Sequence, residues 1–342
     1  MTKQKLGLMA LCLCMALGGS PDAFGAPASE KTEAAEAAGA VAPEAAASLA
    51  EVQAALDADN AEKAVELLKP LVKKKQPEAM YVMGRLALEG RGTRRSPVYA
   101  ATLFQEAAQK GDIRAQNAIG TAYARGQGVK RHYGEAARWF RKAADQGHAV
   151  AQCNLAYLYS QGRGVRKSQE SAIEWYSRAA NQGLADAQYN LGRLYMSVKG
   201  ELQDDVKAVH WLEKAAEQDH ARAQNVLGYM YAEGRGYAQD NAKALQWYQR
   251  AADHGLAEAQ YNLGYMYEQG RGVAQDYVKA VEWYRKAADQ GDATAQYSLG
   301  LMYDQGTGVP ANLSEANRWY RLAAKNGDPD AKAVIRSQER GK

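Results

Sequence analysis

The chain has 342 residues, 46% of them hydrophobic, with 43 Lys and Arg against 39 Asp and Glu and a net charge of +4. That near balance argues against nucleic acid as a partner, which a strongly basic domain would signal, while the hydrophobic content is ample for a continuous core. Only three cysteines are present, and two of them, Cys12 and Cys14, lie at the extreme N-terminus, which excludes a disulfide framework.

Lys3 and Lys5 precede an apolar run from Leu6 to Leu17 and a small-residue stretch from Gly18 to Gly25. This order reads as a cleavable export signal over residues 1–25, with cleavage after Gly25, and predicts a periplasmic or secreted mature protein. The apolar run is too short to span a bilayer. Cys12 and Cys14 each follow a leucine, where a lipidation signal wants a small residue, so a lipoprotein is not expected. Cys153 alone remains after cleavage. Its counterparts in neighbouring repeats are Tyr189, Asn225 and Tyr261, and it reads as a small residue tolerated in the core.

Residues 26–46 are rich in Ala, Glu and Pro and are predicted to form a disordered linker, because they hold too little apolar surface to offset chain entropy. Over 47–76 the pattern turns helical, with Leu49, Val52 and Leu56 followed by Ala64, Leu67, Leu68 and Leu71. These are expected to be N-terminal capping helices, the second kinked or shortened by Pro70.

From 77 to 328 the chain repeats itself every 36 residues, seven times, without insertion or deletion. Trp139, Trp175, Trp211, Trp247, Trp283 and Trp319 mark the period, as do Gln116, Gln152, Gln188, Gln224, Gln260 and Gln296. A period of this length signals an array of helix pairs. In the unit from 257, Ala259, Leu263, Met266 and Tyr267 share one face of a helix A, which Gly270 and Gly272 end. Asp276 then caps a helix B carrying Ala280, Trp283, Tyr284, Ala287 and Ala288, and Gly291 closes it. Ser96, Ser168, Asp204, Asp240 and Asn312 are equivalent caps, with His132 the exception.

Gly264 and its counterparts Gly120, Gly192, Gly228 and Gly300 lie inside helix A, where glycine costs about 1 kcal/mol relative to alanine. Their recurrence predicts a tryptophan or tyrosine ring packed on the bare backbone, with all six indoles inside the array. One unit departs from the pattern: Val198 replaces the first loop glycine, Glu201 the loop valine and Asp219 the closing glycine. A β-branched residue does not suit positive φ, so this loop is expected to take another shape. Asp328-Pro329 opens a C-terminal capping helix and tail over 329–342, with polar Lys332 and Arg336 replacing the repeat's glutamine and glycine.

The unit Ala-x-Ala-Gln-x-x-Leu-Gly-x-x-Tyr-x-x-Gly-x-Gly-Val … Ala-x-x-Trp-Tyr-x-x-Ala-Ala-x-x-Gly, best seen from Ala257 to Gly291, resembles the Sel1-like repeat, a longer relative of the tetratricopeptide repeat. The resemblance implies an all-α, right-handed superhelical solenoid of helix-turn-helix units serving as an adaptor or scaffold without catalysis. One cysteine-rich branch of that family is associated with β-lactam binding or hydrolysis. This chain lacks the cysteine pairs, and it has no Ser-x-x-Lys or Lys-Thr-Gly.

The five histidines, His132, His148, His210, His220 and His254, form no zinc spacing, so neither a metal nor a cofactor is expected. In superhelical arrays the A helices line a concave surface used for recognition. Tyr189 with Arg193, and Tyr261 with Tyr265, stand four apart on helix A, and Tyr157, Tyr229 and Tyr297 extend the row. Asn154, Asn190 and Asn262 follow the variable positions and are candidates to hydrogen-bond a ligand backbone. Each tyrosine either faces a partner or packs between A helices, and the row as a whole is assigned to binding. A protein or peptide partner is the first expectation; a cell-wall glycan stacked on tyrosine, or a β-lactam, are the alternatives.

Overall fold

The computed structural model describes residues 43–198 and 200–340, so the expected export signal, and the expected linker up to residue 42, lie outside the described residues. The described residues form 17 α-helices and one short 3-10 turn, with no strand. The chain divides into two compact units between Gln182 and Gly183. The first holds α1 (Pro43–Asp57), α2 (Ala61–Lys73), α3 (Pro77–Glu89), α4 (Pro97–Gln109), α5 (Ile113–Arg125), α6 (Tyr133–Asp145), α7 (Ala149–Gln161) and α8 (Gln169–Asn181). The second holds α9 (Ala185–Ser197), α10 (Asp205–Ala216), α11 (Ala221–Glu233), α12 (Asn241–Asp253), α13 (Ala257–Gln269), α14 (Tyr277–Asp289), α15 (Ala293–Gln305), α16 (Leu313–Lys325) and α17 (Pro329–Arg340). Within each unit every helix packs on the next, so the fold is an all-α helix-pair solenoid. From α3 onward odd numbers are A helices and even numbers B helices.

Local chemistry explains these boundaries. Gly90, Gly126, Gly162, Gly234, Gly270 and Gly306 end A helices in the left-handed conformation. Ser96, Asp204, Asp240 and Asp276 cap B helices by accepting the backbone N–H three residues on. The histidine set apart by sequence does the same: His132 Nδ1 accepts the Glu135 N–H at 3.1 Å. His148 and His220 cap α7 and α11 in the same way, at 3.2 and 3.1 Å. An imidazole nitrogen substitutes here for a carboxylate or hydroxyl oxygen.

Three expectations meet a physical outcome. Pro70 lies inside α2 without shortening it, since α2 runs 13 residues like most of its neighbours. The first helix begins at Pro43, ahead of the expected residue 47. Val198 is extended, at φ −65° and ψ 154°, and a 3-10 turn over Gly200–Leu202 follows, so this loop does depart from the others.

Gly120, Gly228, Gly264 and Gly300 inside helix A meet aromatic rings, but not those of tryptophan, and Gly192 meets Leu212 instead. A Cβ on Gly264 would stand 2.7 Å from Tyr284, and one on Gly120 would stand 2.7 Å from Phe140. The residue after each tryptophan therefore fills the gap between the two helices. Trp139, Trp175 and Trp319 are buried, whereas Trp211, Trp247 and Trp283 are only half-buried. A cation three residues along the same helix B lies over five of the indoles, from Lys286 at 3.6 Å on Trp283 to Lys214 and Arg250 at 4.8 Å on theirs.

A glutamine ladder ties each unit together. Gln152, Gln224 and Gln296 donate to the carbonyls of Ala144, Ala216 and Ala288 at 2.9–3.1 Å. Their Oε1 atoms should then accept from the residue just beyond the next helix B. Gln182 serves Gln152 at 2.8 Å, Gln290 serves Gln260 at 2.8 Å and Asn326 serves Gln296 at 3.0 Å. At the equivalent place for Gln224 the chain has His254, which lies 3.6 Å from Asp219 instead. Gln224 Oε1 is left buried without a partner. His254→Gln is therefore expected to stabilise the protein by about 1 kcal/mol, seen as a higher urea midpoint. An unchanged or lower midpoint would contradict the ladder.

Candidate partner-binding face

Helix A is so tightly enclosed that few of its side chains reach solvent. Within each unit a sixth residue of one A helix meets the fifth residue of the A helix before it. Asn154 Nδ2 donates to Asn117 Oδ1 at 3.0 Å, and Asn262 Nδ2 to Asn225 Oδ1 at 2.9 Å. Tyr261 is hydrogen-bonded to Ser298 in the same register. Asn154 and Asn262 are buried, so they brace adjacent helices and are not presented to a ligand. Asn190 is half-buried.

The tyrosine row divides by register. Tyr189 is 8% exposed and stacks on His220 with 4.6 Å between ring centroids. Tyr261 is 9% exposed and tilts against Tyr284 at 5.5 Å. Burial holds its phenol far above the ordinary range. Both are fifth residues of their helices and belong to the packing between repeats. Tyr297, also a fifth residue, is half-buried and tilts on Tyr320 at 5.7 Å.

The ninth residues behave differently. Tyr157 in the first unit, and Arg193, Tyr229, Tyr265 and Leu301 in the second, are all half-buried with part of the side chain in solvent. Arg163 lies over the Tyr157 ring at 5.7 Å. The structure thus brings Arg193, Tyr229 and Tyr265 to one register of consecutive A helices, and keeps Tyr189 and Tyr261 beneath them.

A carboxylate set escaped the reading of the sequence. Tyr284 and Tyr320, the rings seated on the helix A glycines, donate their hydroxyls to Glu268 and Asp304 respectively. Burial first, then the adjacent Glu268, holds the Tyr284 phenol well above its usual range. Glu268 and Asp304 are the twelfth residues of α13 and α15, so the 36-residue register carried the signal. In α11 the twelfth residue is Ala232, and the buried Tyr248 hydroxyl has no partner. Burial first, then the charge of Glu233, holds the Tyr248 phenol well above its usual range. The exposed Glu233, Glu258 and Asp304 and half-buried Glu268 give the tyrosine register of the second unit an acidic border.

Other residues carry less chemistry. Cys153 is buried in α7. No group of three His, Cys, Asp or Glu able to hold a metal occurs among the described residues. No described helix is long and apolar enough to cross a membrane.

Known proteins share this architecture. A family model described as Sel1 repeat matches seven consecutive segments, 77–112, 113–148, 149–184, 185–220, 221–256, 257–292 and 293–328. The crystal structure of a protective antigen of uropathogenic Escherichia coli with an SLR fold is 34% identical, with a TM-score of 0.72. The match covers 78% of this chain, which spans 57% of that chain's length. A Sel1 repeat protein from Oxalobacter formigenes is 30% identical at a TM-score of 0.70, with 86% of this chain and 88% of that one covered. No curated protein matches.

Proposed function

The chain belongs to the Sel1 repeat family, whose members generally serve as protein-interaction scaffolds, and on that premise we propose that it is an exported, non-catalytic adaptor that takes a protein partner on its helix A face. The observation that carries the proposal is the ninth-residue register. In an otherwise enclosed helix, Arg193, Tyr229 and Tyr265 keep part of their side chains in solvent on consecutive A helices. Tyrosine and arginine give large contact area with a polar tip, the character of interface anchors. Glu233, Glu258 and Asp304 at the margin favour a partner segment with basic residues. Export rests on Lys3, Lys5 and the apolar run from Leu6 to Leu17.

Tyr229→Ala with Tyr265→Ala tests the face without touching the buried Tyr261. The mature chain, immobilised and exposed to envelope extract, is expected to retain a defined partner that the double variant releases at least tenfold more readily. Far-ultraviolet circular dichroism should be unchanged. Equal retention by both proteins would remove the helix A assignment.

A further inference from the structure

Near balance in net charge conceals a segregation of charge in the first unit. The loop before α4 carries Arg91, Arg94 and Arg95. Arg125 ends α5, Lys130 and Arg131 follow it, and the loop before α8 carries Arg163, Arg166 and Lys167. All but the half-buried Arg125 are exposed. The three loops form one edge because each rests on the start of the preceding helix B. A Cβ on Gly128 would strike the Pro97 carbonyl, and one on Gly164 the backbone of Tyr133.

Few carboxylates offset these cations. Arg91 pairs with Asp59 at 2.7 Å. Glu135 is held by Arg138 at 2.6 Å, and Glu170 accepts from the Ser168 hydroxyl at 3.0 Å. Among the described residues Arg94, Lys130, Arg131, Arg166 and Lys167 have no carboxylate within 4.0 Å. The helix caps deepen the contrast: Ser96, His132 and Ser168 cap the B helices here, while Asp204, Asp240 and Asp276 cap them in the second unit. The N-cap positions of α4, α6 and α8 thus add no charge to offset the positive ends of their dipoles, although Glu135 and Glu170 lie in the first turns of α6 and α8.

Exposed apolar side chains lie beside the cations. Val98 is 65% and Tyr99 45% exposed at the start of α4. The equivalent repeat positions in the second unit also expose Val206, Tyr277 and Val278, but there the cap carboxylates accompany them. Cations on exposed loops around an exposed valine and tyrosine match a surface that presents anions above hydrocarbon. We propose that this loop edge of the first unit docks on an anionic phospholipid surface. Arginine and lysine meet phosphate headgroups, and Val98 and Tyr99 enter the interface between headgroups and acyl chains.

Sedimentation with vesicles tests this independently of the helix A face. The purified mature chain is expected to pellet with vesicles of phosphatidylglycerol and phosphatidylcholine, to stay in solution with phosphatidylcholine alone, and to be released by raised salt. Neutralising Arg94, Lys130, Arg131 and Arg166 to glutamine should weaken partitioning at least tenfold with helicity retained. Lys130→Gln with Arg166→Gln is the smaller change should the larger one lose helicity. Val98→Ser with Tyr99→Ser should weaken it several-fold at constant charge. Absence of binding to the anionic vesicles, or equal binding by the neutralised chain, would overturn the proposal. So would soluble polyglutamate binding as tightly as the vesicles with no effect of the Val98 and Tyr99 changes, which would indicate an acidic polymer.

Discussion

Gly128→Ala is expected to cost about 3 kcal/mol or more in folding stability, whereas Gly147→Ala should cost only about 1–2 kcal/mol. Both glycines hold positive φ, 74° and 93°, so both pay the left-handed penalty of a side chain. The difference is what a Cβ would meet. At Gly128 it would stand 1.9 Å from the Pro97 carbonyl oxygen, a backbone atom fixed at the start of α4, while around Gly147 nothing lies within 4 Å. Relief at Gly128 requires the loop to lift off α4, which unseats the contact between successive repeats. In a linear array each repeat depends on its neighbours, so the loss should appear as a lower urea midpoint with a broader transition. Equal midpoints for the two variants would show that the loop contact contributes nothing.

The second large effect concerns the Trp-Tyr pair. Tyr284→Ala should cost about 3–5 kcal/mol, the range for emptying a buried aromatic site, while Trp283→Ala should cost about 1–2 kcal/mol on partial area alone. Tyr284 is fully buried, its ring faces the backbone of Gly264, and its hydroxyl donates to Glu268. Trp283 is half-buried beneath the Lys286 ammonium at 3.6 Å. Thermal melts of the two variants decide the order. A larger loss for Trp283→Ala would return the tryptophan to the role its periodicity suggests.

Much of the frame was legible. The 36-residue period, the loop glycines and the polar caps located both helices of every repeat, because helix stops and caps act over three or four residues. Val198 announced its irregular loop for the same local reason. His132 was misjudged: an imidazole Nδ1 can accept an N–H as a carboxylate does, and only its orientation toward Glu135 shows that it does so. The candidate face was half legible. Tyr157, Arg193, Tyr229, Tyr265 and Tyr297 keep solvent contact, whereas Asn154, Asn262, Tyr189 and Tyr261 are enclosed.

The sequence by itself determined the family, the number and length of the repeats and the stops and caps of the helices within them. All of these follow from short-range propensity repeated in register. Tertiary structure alone decided which side of each helix meets a neighbour. Asn154 reaches back 37 residues to Asn117, and Gln182 reaches back 30 to Gln152. Neither separation is the period itself, because successive helices pack at an angle and a stagger that no single repeat contains. The same stagger places Tyr284, not Trp283, on Gly264, and seats the basic loops of the first unit on successive helix starts.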